Sequence, residues 1–185
     1  PVELAAVGAR APLILANGNR IDNKRLKAVI NAFRTSGLTL SIYDRLTDRV
    51  QPETLHALAT VYRDAGCDSL IAVGNGPVVD MAKCLIATIA GGDAAAFEDS
   101  RGENAVDAAA LAPLMLVATP GGNGDEATGY AFDGHRRLKA SALTPLAAFI
   151  DPAMMKRANA RELAEGALVG LARAVESFLD EAGGS

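Results

Sequence analysis

The sequence has no tryptophan, and aromatic side chains make up only 4% of its 185 residues. The core must therefore be built from alanine, leucine, valine and isoleucine, which favours layered α/β structure over an aromatic-rich β-sandwich. Basic residues are scattered and the net charge is −4. A nucleic-acid-binding protein would carry a basic stripe, so we expect no nucleic-acid partner. Since no apolar run reaches the roughly 18 residues of a membrane span, we expect no membrane partner either.

Cysteine is rare as well, with only Cys67 and Cys84. Cys67 comes just before an apolar strand and Cys84 lies within an apolar helix, so we expect two buried free thiols. Their spacing matches neither CxxC nor a disulfide scaffold, which fits a reducing cytoplasm. The segment that begins at Pro1 lacks the charged and apolar regions of a signal peptide. These features predict a cytoplasmic protein.

Short apolar runs alternate with helical patterns along the chain. The runs predict strands at residues 12–16, 38–43, 69–73, 114–118 and 147–150. Continuous apolar strands are typical of sheets that are covered on both faces. Apolar residues at helical spacing predict helices at residues 22–33, 52–65 and 77–89, the first capped by Asp22. This alternation predicts an α/β fold, a Rossmann-like parallel sheet with flanking helices and right-handed crossovers.

Two further segments differ from this pattern. Residues 91–112 are rich in alanine and acidic residues, and we interpret them as a long surface excursion. Residues 152–180 are predicted to be wholly helical, with a helix start near Asn159 or Ala160. The sequence therefore predicts an α/β domain over residues 1–151, followed by a helical segment over residues 152–185.

A glycine-rich loop, residues 74–80, follows the third predicted strand and opens a helix. Gly74 and Gly76 allow backbone N–H groups to approach a phosphate, whose charge a helix N-terminus favours. Asp80 is expected in the first turn, where a carboxylate is also favoured by the helix dipole. The alternative is a tight strand–helix turn with a capping aspartate. The loop is neither GxGxxG nor a P-loop.

A second glycine-rich loop, residues 118–128, follows the fourth predicted strand. It holds three glycines and two carboxylates, and Thr119 and Thr128 could donate to phosphate or sugar oxygens. The alternative is a flexible surface loop. In a parallel sheet, ligands collect beyond the carboxyl ends of the strands, so the two loops are expected side by side at that edge.

Taken together, the segments GNGPVVDMAK and TPGGNGDEAT resemble the iron-containing alcohol dehydrogenase family, whose fold is dehydroquinate synthase-like. The corresponding family loops read GGGSxxDxAK and PTTxGTGSExT. The resemblance extends over residues 5–180 and includes Asp151-Pro152 before the helical part. It implies that residues 1–151 bind NAD or NADP, that the family's helical domain begins at residue 152, and that its remainder is absent from this chain.

The resemblance also implies cofactor-binding residues. Around the pyrophosphate and ribose it places Gly74, Asn75, Gly76 and Asp80, and near the nicotinamide Thr119, Gly122, Asn123 and Thr128. Lys139 is a further candidate contact. Asn17 follows the first strand, where NAD-preferring members often have an aspartate. An asparagine cannot repel a 2′-phosphate as a carboxylate does, so NAD and NADP both stay open.

The sequence departs from the family where the family binds metal. The helical segment GMDxxTHxxE of the family supplies Asp and His ligands, one helical turn apart. Val169 stands at the Asp position here and Arg173 at the His position. Valine has no donor atom, and the arginine cation repels a dication. The chain's two histidines, His56 and His135, lie outside this motif, so we expect no metal site.

The loops depart as well. Asn75 and Pro77 replace a glycine and a serine, while Pro120 and Asp125 replace a threonine and a serine. Pro77 removes one N–H from the phosphate cradle. Asp125 adds negative charge where a cofactor phosphate would approach.

Three hypotheses follow, and whether the chain is itself an enzyme stays open. The first is an NAD(P)-dependent oxidoreductase acting on a small alcohol, aldehyde or keto acid, with Arg173 holding an alkoxide or a carboxylate. The second is a degenerate dinucleotide-binding module with a structural or regulatory role. The third is an unrelated α/β protein. A helical face over residues 169–175 would be exposed without the rest of the helical domain, so we expect a homo-oligomer or a partner chain.

Overall fold

The computed structural model describes residues 1–19, 21–91, 111–122, 124–156 and 158–179. The strands are β1 (Pro12–Ala16), β2 (Ser41–Tyr43), β3 (Ser69–Gly74), β4 (Leu114–Ala118), β5 (Tyr130–Phe132), β6 (Arg137–Lys139) and β7 (Ala147–Phe149). The main sheet has five parallel strands in the order β2-β1-β3-β4-β7, and β5 and β6 form a separate antiparallel hairpin. The predicted Rossmann-like parallel sheet is confirmed.

Both faces of the sheet are covered by helices. The helices are α1 (Val2–Ala6), α2 (Asn23–Asn31), α3 (Pro52–Asp64), α4 (Gly76–Ile89), α5 (Pro152–Met155) and α6 (Ala160–Leu179). Successive β1 side chains point to opposite faces, so Leu13 and Leu15 pack against α3 and α4. Ile14 and Ala16 belong to a second core with α1, α2 and α5. This explains why every residue of β1 is buried.

Local signals in the sequence fix several helix ends. The Asp22 carboxylate accepts a hydrogen bond of 2.8 Å from the Lys24 N–H, which confirms the predicted cap of α2. Gly91 adopts a φ of 69° directly after α4. The surface excursion predicted for residues 91–112 falls mostly on residues 92–110, outside the described part of the chain.

Three details differ from the sequence prediction. Residues 152–180 are not wholly helical, because α5 ends at Met155, but the helix start predicted near Asn159 or Ala160 is confirmed by α6, which begins at Ala160. The Asn159 side chain accepts the Glu162 N–H at 2.8 Å, which starts a new helix rather than continuing the old one. The second strand is shorter than predicted, and the β5–β6 hairpin was not predicted.

The two cysteines differ in their burial. Cys84 is buried, Cys67 is partly buried, and both are free thiols.

Among the described residues, no helix is both long enough and apolar enough to cross a membrane.

The strand order sets the position of a ligand cleft. The chain runs from β1 outward to β2 and then returns to the other side of β1 as β3. The connections that leave β1 and β3 therefore diverge at the carboxyl edge of the sheet. Such a reversal in strand order leaves a crevice, where ligands of open α/β proteins bind.

Candidate functional site

A cleft of about 280 Å³ lies at this edge of the sheet. Its walls come from the ends of β1 and β3, the first turn of α4, the loop after β4 and the first half of α6. Five of the predicted cofactor-binding residues line it: Asn17, Gly74, Asn75, Gly76 and Thr119. The structure thus brings both glycine-rich loops to one cleft, as the sequence predicted.

The two loops are joined by hydrogen bonds. The Thr119 N–H donates to the Gly74 carbonyl at 3.2 Å. The Asn75 side-chain amide donates to the Pro120 carbonyl at 2.6 Å. Asn75 precedes the first residue of α4 but makes no side-chain capping bond. The positive end of the α4 dipole therefore lies at the cleft wall.

The remaining predicted residues lie elsewhere. Lys139 is in β6, with its ammonium 5.6 Å from the centre of the Tyr130 ring. The Thr128 carbonyl accepts from Lys83, and Gly122 lies beside Glu126 in the second loop. None of these three residues lines the cleft. Asn123 lies outside the described residues.

Asp80 also lies outside this cleft, just beyond the first turn of α4 in which it was expected. Its carboxylate accepts a hydrogen bond of 3.1 Å from the Phe132 N–H in β5. Asp80 borders a second cleft of about 710 Å³, together with residues of the loop after β2 and the hairpin. Asp48 and Pro77 line both clefts, so the two are neighbours.

The ionisation of Asp80 gives the protein a pH-dependent stability. Burial raises the pKa of Asp80 to about 6 from an ordinary 3.8, against the lowering effect of the Phe132 hydrogen bond. The folded protein thus holds this proton more tightly than the unfolded chain does. The stability that this carboxyl contributes is fully present below about pH 4 and is lost as the pH rises through about 6.

Asp80→Asn is expected to remove this dependence while its amide oxygen still accepts the Phe132 N–H. The variant should gain up to about 3 kcal/mol in unfolding free energy relative to wild type as the pH rises from about 4 to about 7. Urea unfolding of both proteins at several pH values across this range measures the difference. A difference that stays constant with pH would contradict the raised pKa.

Lys83 is a buried cation that the sequence analysis did not single out. It is 0% exposed, and its ammonium donates to the carbonyls of Asp125, Thr128 and Tyr130 at 2.6, 2.6 and 2.8 Å. Burial lowers the pKa of Lys83 to about 8, opposed by the nearby Asp125 and Asp80 carboxylates. Lys83 therefore ties the end of the second loop and the start of β5 to α4.

Arg173 meets the same loop from α6. Its guanidinium Nη1 lies 2.6 Å from Oδ1 of Asp125, whose side chain is 9% exposed. Arg173 stands at the position that the resemblance gives to a metal-binding histidine, and Val169, one turn earlier, has no donor atom. The charge of Asp125 is therefore paired with an arginine on α6.

These residues do not fit a metal ion. A divalent cation needs anionic or neutral donor atoms, whereas a valine side chain offers none and a guanidinium is itself a cation. Within the described part of the chain, no group of three or more histidine, cysteine, aspartate or glutamate side chains is placed to hold a metal.

The first half of α6 forms a wall of the first cleft through Glu162, Glu165, Gly166 and Val169. A Cβ atom built on Gly166 would lie only 2.9 Å from the Gly121 Cα, so the helix and the second loop meet backbone to backbone. Gly121 itself adopts a φ of +84°, which favours glycine. The width of the cleft at this wall depends on the missing side chains of these two glycines.

Asn17 directly follows β1 and is 4% exposed. Its side-chain oxygen accepts the Asn19 N–H at 3.1 Å, and its amide donates to Oδ1 of Asp48 at 2.9 Å. Asp48 comes from the loop after β2. Asp48 could not be recognised from the sequence, because it lies among alternating acidic and basic residues and nothing in the pattern sets it apart.

The chain is similar in sequence to known dehydrogenases. The family model described as iron-containing alcohol dehydrogenase matches residues 1–152, and the chain belongs to this family. It is 29% identical to the 4-hydroxybutyrate dehydrogenase of Cupriavidus necator over 184 residues, which cover 96% of this chain and 47% of that protein. It is 25% identical to the NAD-dependent methanol dehydrogenase of Bacillus methanolicus, over 95% of this chain and 47% of that protein.

A solved structure shares the fold. The NADH-dependent butanol dehydrogenase A of Thermotoga maritima superposes with a TM-score of 0.81 at 22% identity, over 97% of this chain and 46% of that one. The chain spans about half the length of the relatives that it matches. Membership of the family is thus shown for a part that corresponds to less than half of each of these relatives.

Proposed function

We propose that this chain is the dinucleotide-binding half of an oxidoreductase that uses NAD or NADP. The observation that carries the proposal is the cleft at the carboxyl edge of the sheet, lined by two glycine-rich loops that are hydrogen-bonded to each other. The α4 N-terminus at its wall favours a phosphate. The family relationship supports the same function, because the related methanol dehydrogenase is named as NAD-dependent.

The shape of the site fits a dinucleotide. A Cβ atom built on Gly76 would have no neighbour within 4 Å, so the backbone at the start of α4 is open to close approach by a ligand. The second, larger cleft adjoins the first at Asp48 and Pro77. Two neighbouring compartments at a strand-order reversal match the two halves of a dinucleotide. Gly74, Asn75, Gly76 and Thr119 would contact the cofactor.

The reaction proposed is hydride transfer between the cofactor and a small alcohol, aldehyde or keto acid. When bound, a nicotinamide would accept a hydride from the alcohol carbon while the hydroxyl proton passes to water, and the reverse reaction would return both. We assign Arg173 to the stabilisation of the substrate oxygen or of a substrate carboxylate, because a guanidinium binds carboxylates through paired N–H groups. Its guanidinium contacts Asp125 at 2.6 Å in this structure, so the substrate would compete with Asp125 for it. The relative named as a 4-hydroxybutyrate dehydrogenase supports a hydroxy acid as one substrate class.

The exposed face of α6 supports a partner for this half. Leu168, Leu171 and Val175 are 65%, 63% and 48% exposed. An exposed apolar face of this kind normally marks an interface. We propose that it is covered by further helical structure of the family type or by a second copy of the chain.

A second candidate is a degenerate dinucleotide-binding module without hydride transfer. Glu162 and Glu165 place carboxylates at the cleft wall, and Pro77 lacks the N–H that a phosphate cradle would use. These features weaken phosphate binding. They favour a structural or regulatory role if the cofactor does not bind.

Calorimetric titration of the chain with NADH and with NADPH tests the proposal, with metal content measured on the same sample. We expect micromolar binding of at least one cofactor and no bound iron or zinc. Asn75→Ala should weaken cofactor binding, because the two loops lose their 2.6 Å side-chain link. Absence of binding by both cofactors would favour the degenerate module. Stoichiometric metal would contradict the roles given to Val169 and Arg173.

A further inference from the structure

The end of β1 carries a neutral side chain whose polar atoms are already engaged. The Asn17 oxygen accepts from the Asn19 backbone and its amide donates to Asp48, and the residue is 4% exposed. Asn17 is therefore held in one orientation and presents no negative charge of its own. The negative charge nearest to it along these hydrogen bonds belongs to Asp48.

The loop that carries Asp48 is fixed against the end of β1. The Gly18 N–H donates to the Asp44 carbonyl at 2.7 Å, and the Leu46 N–H donates to the Ala16 carbonyl at 3.2 Å. Asn17 and Arg45 form an isolated β-bridge. These backbone contacts place the Asp48 carboxylate at the border between the two clefts, and it lines both of them.

A carboxylate in this position has a defined use in a dinucleotide site. In sheets of this type, an acidic side chain near the carboxyl ends of the first strands accepts the hydroxyls of the adenosine ribose, whereas a nearby arginine accommodates a 2′-phosphate. We propose that Asp48 supplies this carboxylate and selects NAD over NADP. The inference rests on the proposed function, and it replaces the expectation that Asn17 leaves both cofactors open.

The neighbouring Arg49 would have the opposite effect on cofactor preference. Arg49 follows Asp48 and lines the second cleft, where a guanidinium would favour a 2′-phosphate. Arg49 does not line the first cleft, whereas Asp48 lines both and is hydrogen-bonded to the end of β1. Asp48 therefore lies closer than Arg49 to the position that the fold gives to the ribose, and its repulsion of a 2′-phosphate should dominate.

Asp48→Asn tests this directly, because an asparagine oxygen can still accept the Asn17 amide while the charge is lost. Asp44→Asn is the matched control: it removes the same charge from the same loop, but Asp44 lines neither cleft. The dissociation constants of NADH and NADPH are measured by calorimetry for the wild-type chain and both variants. A like charge a few ångströms from a phosphate alters affinity by about tenfold or more.

We expect the wild-type chain to prefer NADH and Asp48→Asn to lose about tenfold of that preference, mainly through tighter NADPH binding. Asp44→Asn should keep the wild-type ratio. If Asp48→Asn bound NADH with the wild-type ratio of NADH to NADPH affinity, only the role of Asp48 would be overturned, and the proposed function would stand. A wild-type preference for NADPH would overturn it too and assign the ribose position to Arg49. Failure of both cofactors to bind wild type would overturn the proposed function and this inference together.

Discussion

Replacing Lys83 by methionine is expected to lower the free energy of unfolding by at least about 3 kcal/mol. Methionine fills nearly the same volume but cannot donate to the carbonyls of Asp125, Thr128 and Tyr130, which the Lys83 ammonium contacts at 2.6–2.8 Å. The contact with Asp125 is buried and those with Thr128 and Tyr130 are partly buried. A buried acceptor that loses its donor costs about 1–3 kcal/mol, so the three losses together outweigh the gain from removing a buried charge. Urea denaturation measures the loss.

Lys27→Met is the matched control, since Lys27 is exposed on α2. A surface substitution of this kind should change stability by no more than about 0.5 kcal/mol. Lys83→Met should also weaken NADH binding in calorimetry, because the second loop loses its anchor. Equal stabilities of the two variants would show that the three carbonyls find other donors and that Lys83 does not hold the loop.

Gly166→Gln is expected to weaken NADH binding by at least about tenfold, because it should open the cleft. A side chain at this position must push α6 away from the second loop, since its Cβ would lie 2.9 Å from the Gly121 Cα. Movement of that wall displaces Glu165 and Val169, which also line the cleft. Calorimetry gives the affinity, and hydrogen exchange of α6 reports its detachment.

Gly170→Gln provides the control on the same helix. A Cβ atom at Gly170 meets nothing within 4 Å. Glutamine there should raise helix stability by about 0.5–1 kcal/mol and leave NADH affinity unchanged. If Gly166→Gln and Gly170→Gln showed the same hydrogen exchange in α6 and the same NADH affinity, the contact of α6 with the second loop would play no part in shaping the cleft.

The sequence predicted the main sheet because its local signals and its buried pattern agree. The apolar run at residues 12–16 became β1 without a change of bounds, and the Asp22 cap starts α2 as expected. The β5–β6 hairpin was missed because its strands have only three residues each, too few to show a periodic pattern. The Asp133-Gly134 pair at the turn was the available signal.

The candidate site was predictable only where it is built from contiguous motifs. The sequence-predicted residues that line the cleft come from two glycine-rich loops, namely Gly74, Asn75, Gly76 and Thr119. The partners of Asn17 and Arg173 could not be predicted, because Asp48 and Asp125 lie 31 and 48 residues away in the chain. Only the folded sheet brings such residues together.

Lys83 was overlooked, although the sequence contained a signal for its role. It interrupts the apolar stretch Met81-Ala82-Lys83-Cys84-Leu85-Ile86, where a charge is costly unless it is paired. Asp125 shows the opposite problem. The sequence suggested that its charge would oppose a cofactor phosphate, whereas the structure pairs it with Arg173 at 2.6 Å.

Lys83 holds the backbone of the second loop without using any side chain of that loop. Its ammonium donates hydrogen bonds only to main-chain oxygens, so the backbone path does not depend on which side chains face the cleft. Thr119 is a loop position that lines the cleft and makes none of these bonds with its side chain. It can therefore be exchanged to alter ligand preference while the scaffold stays in place. The chain is accordingly a good starting point for redesigning ligand preference at this cleft.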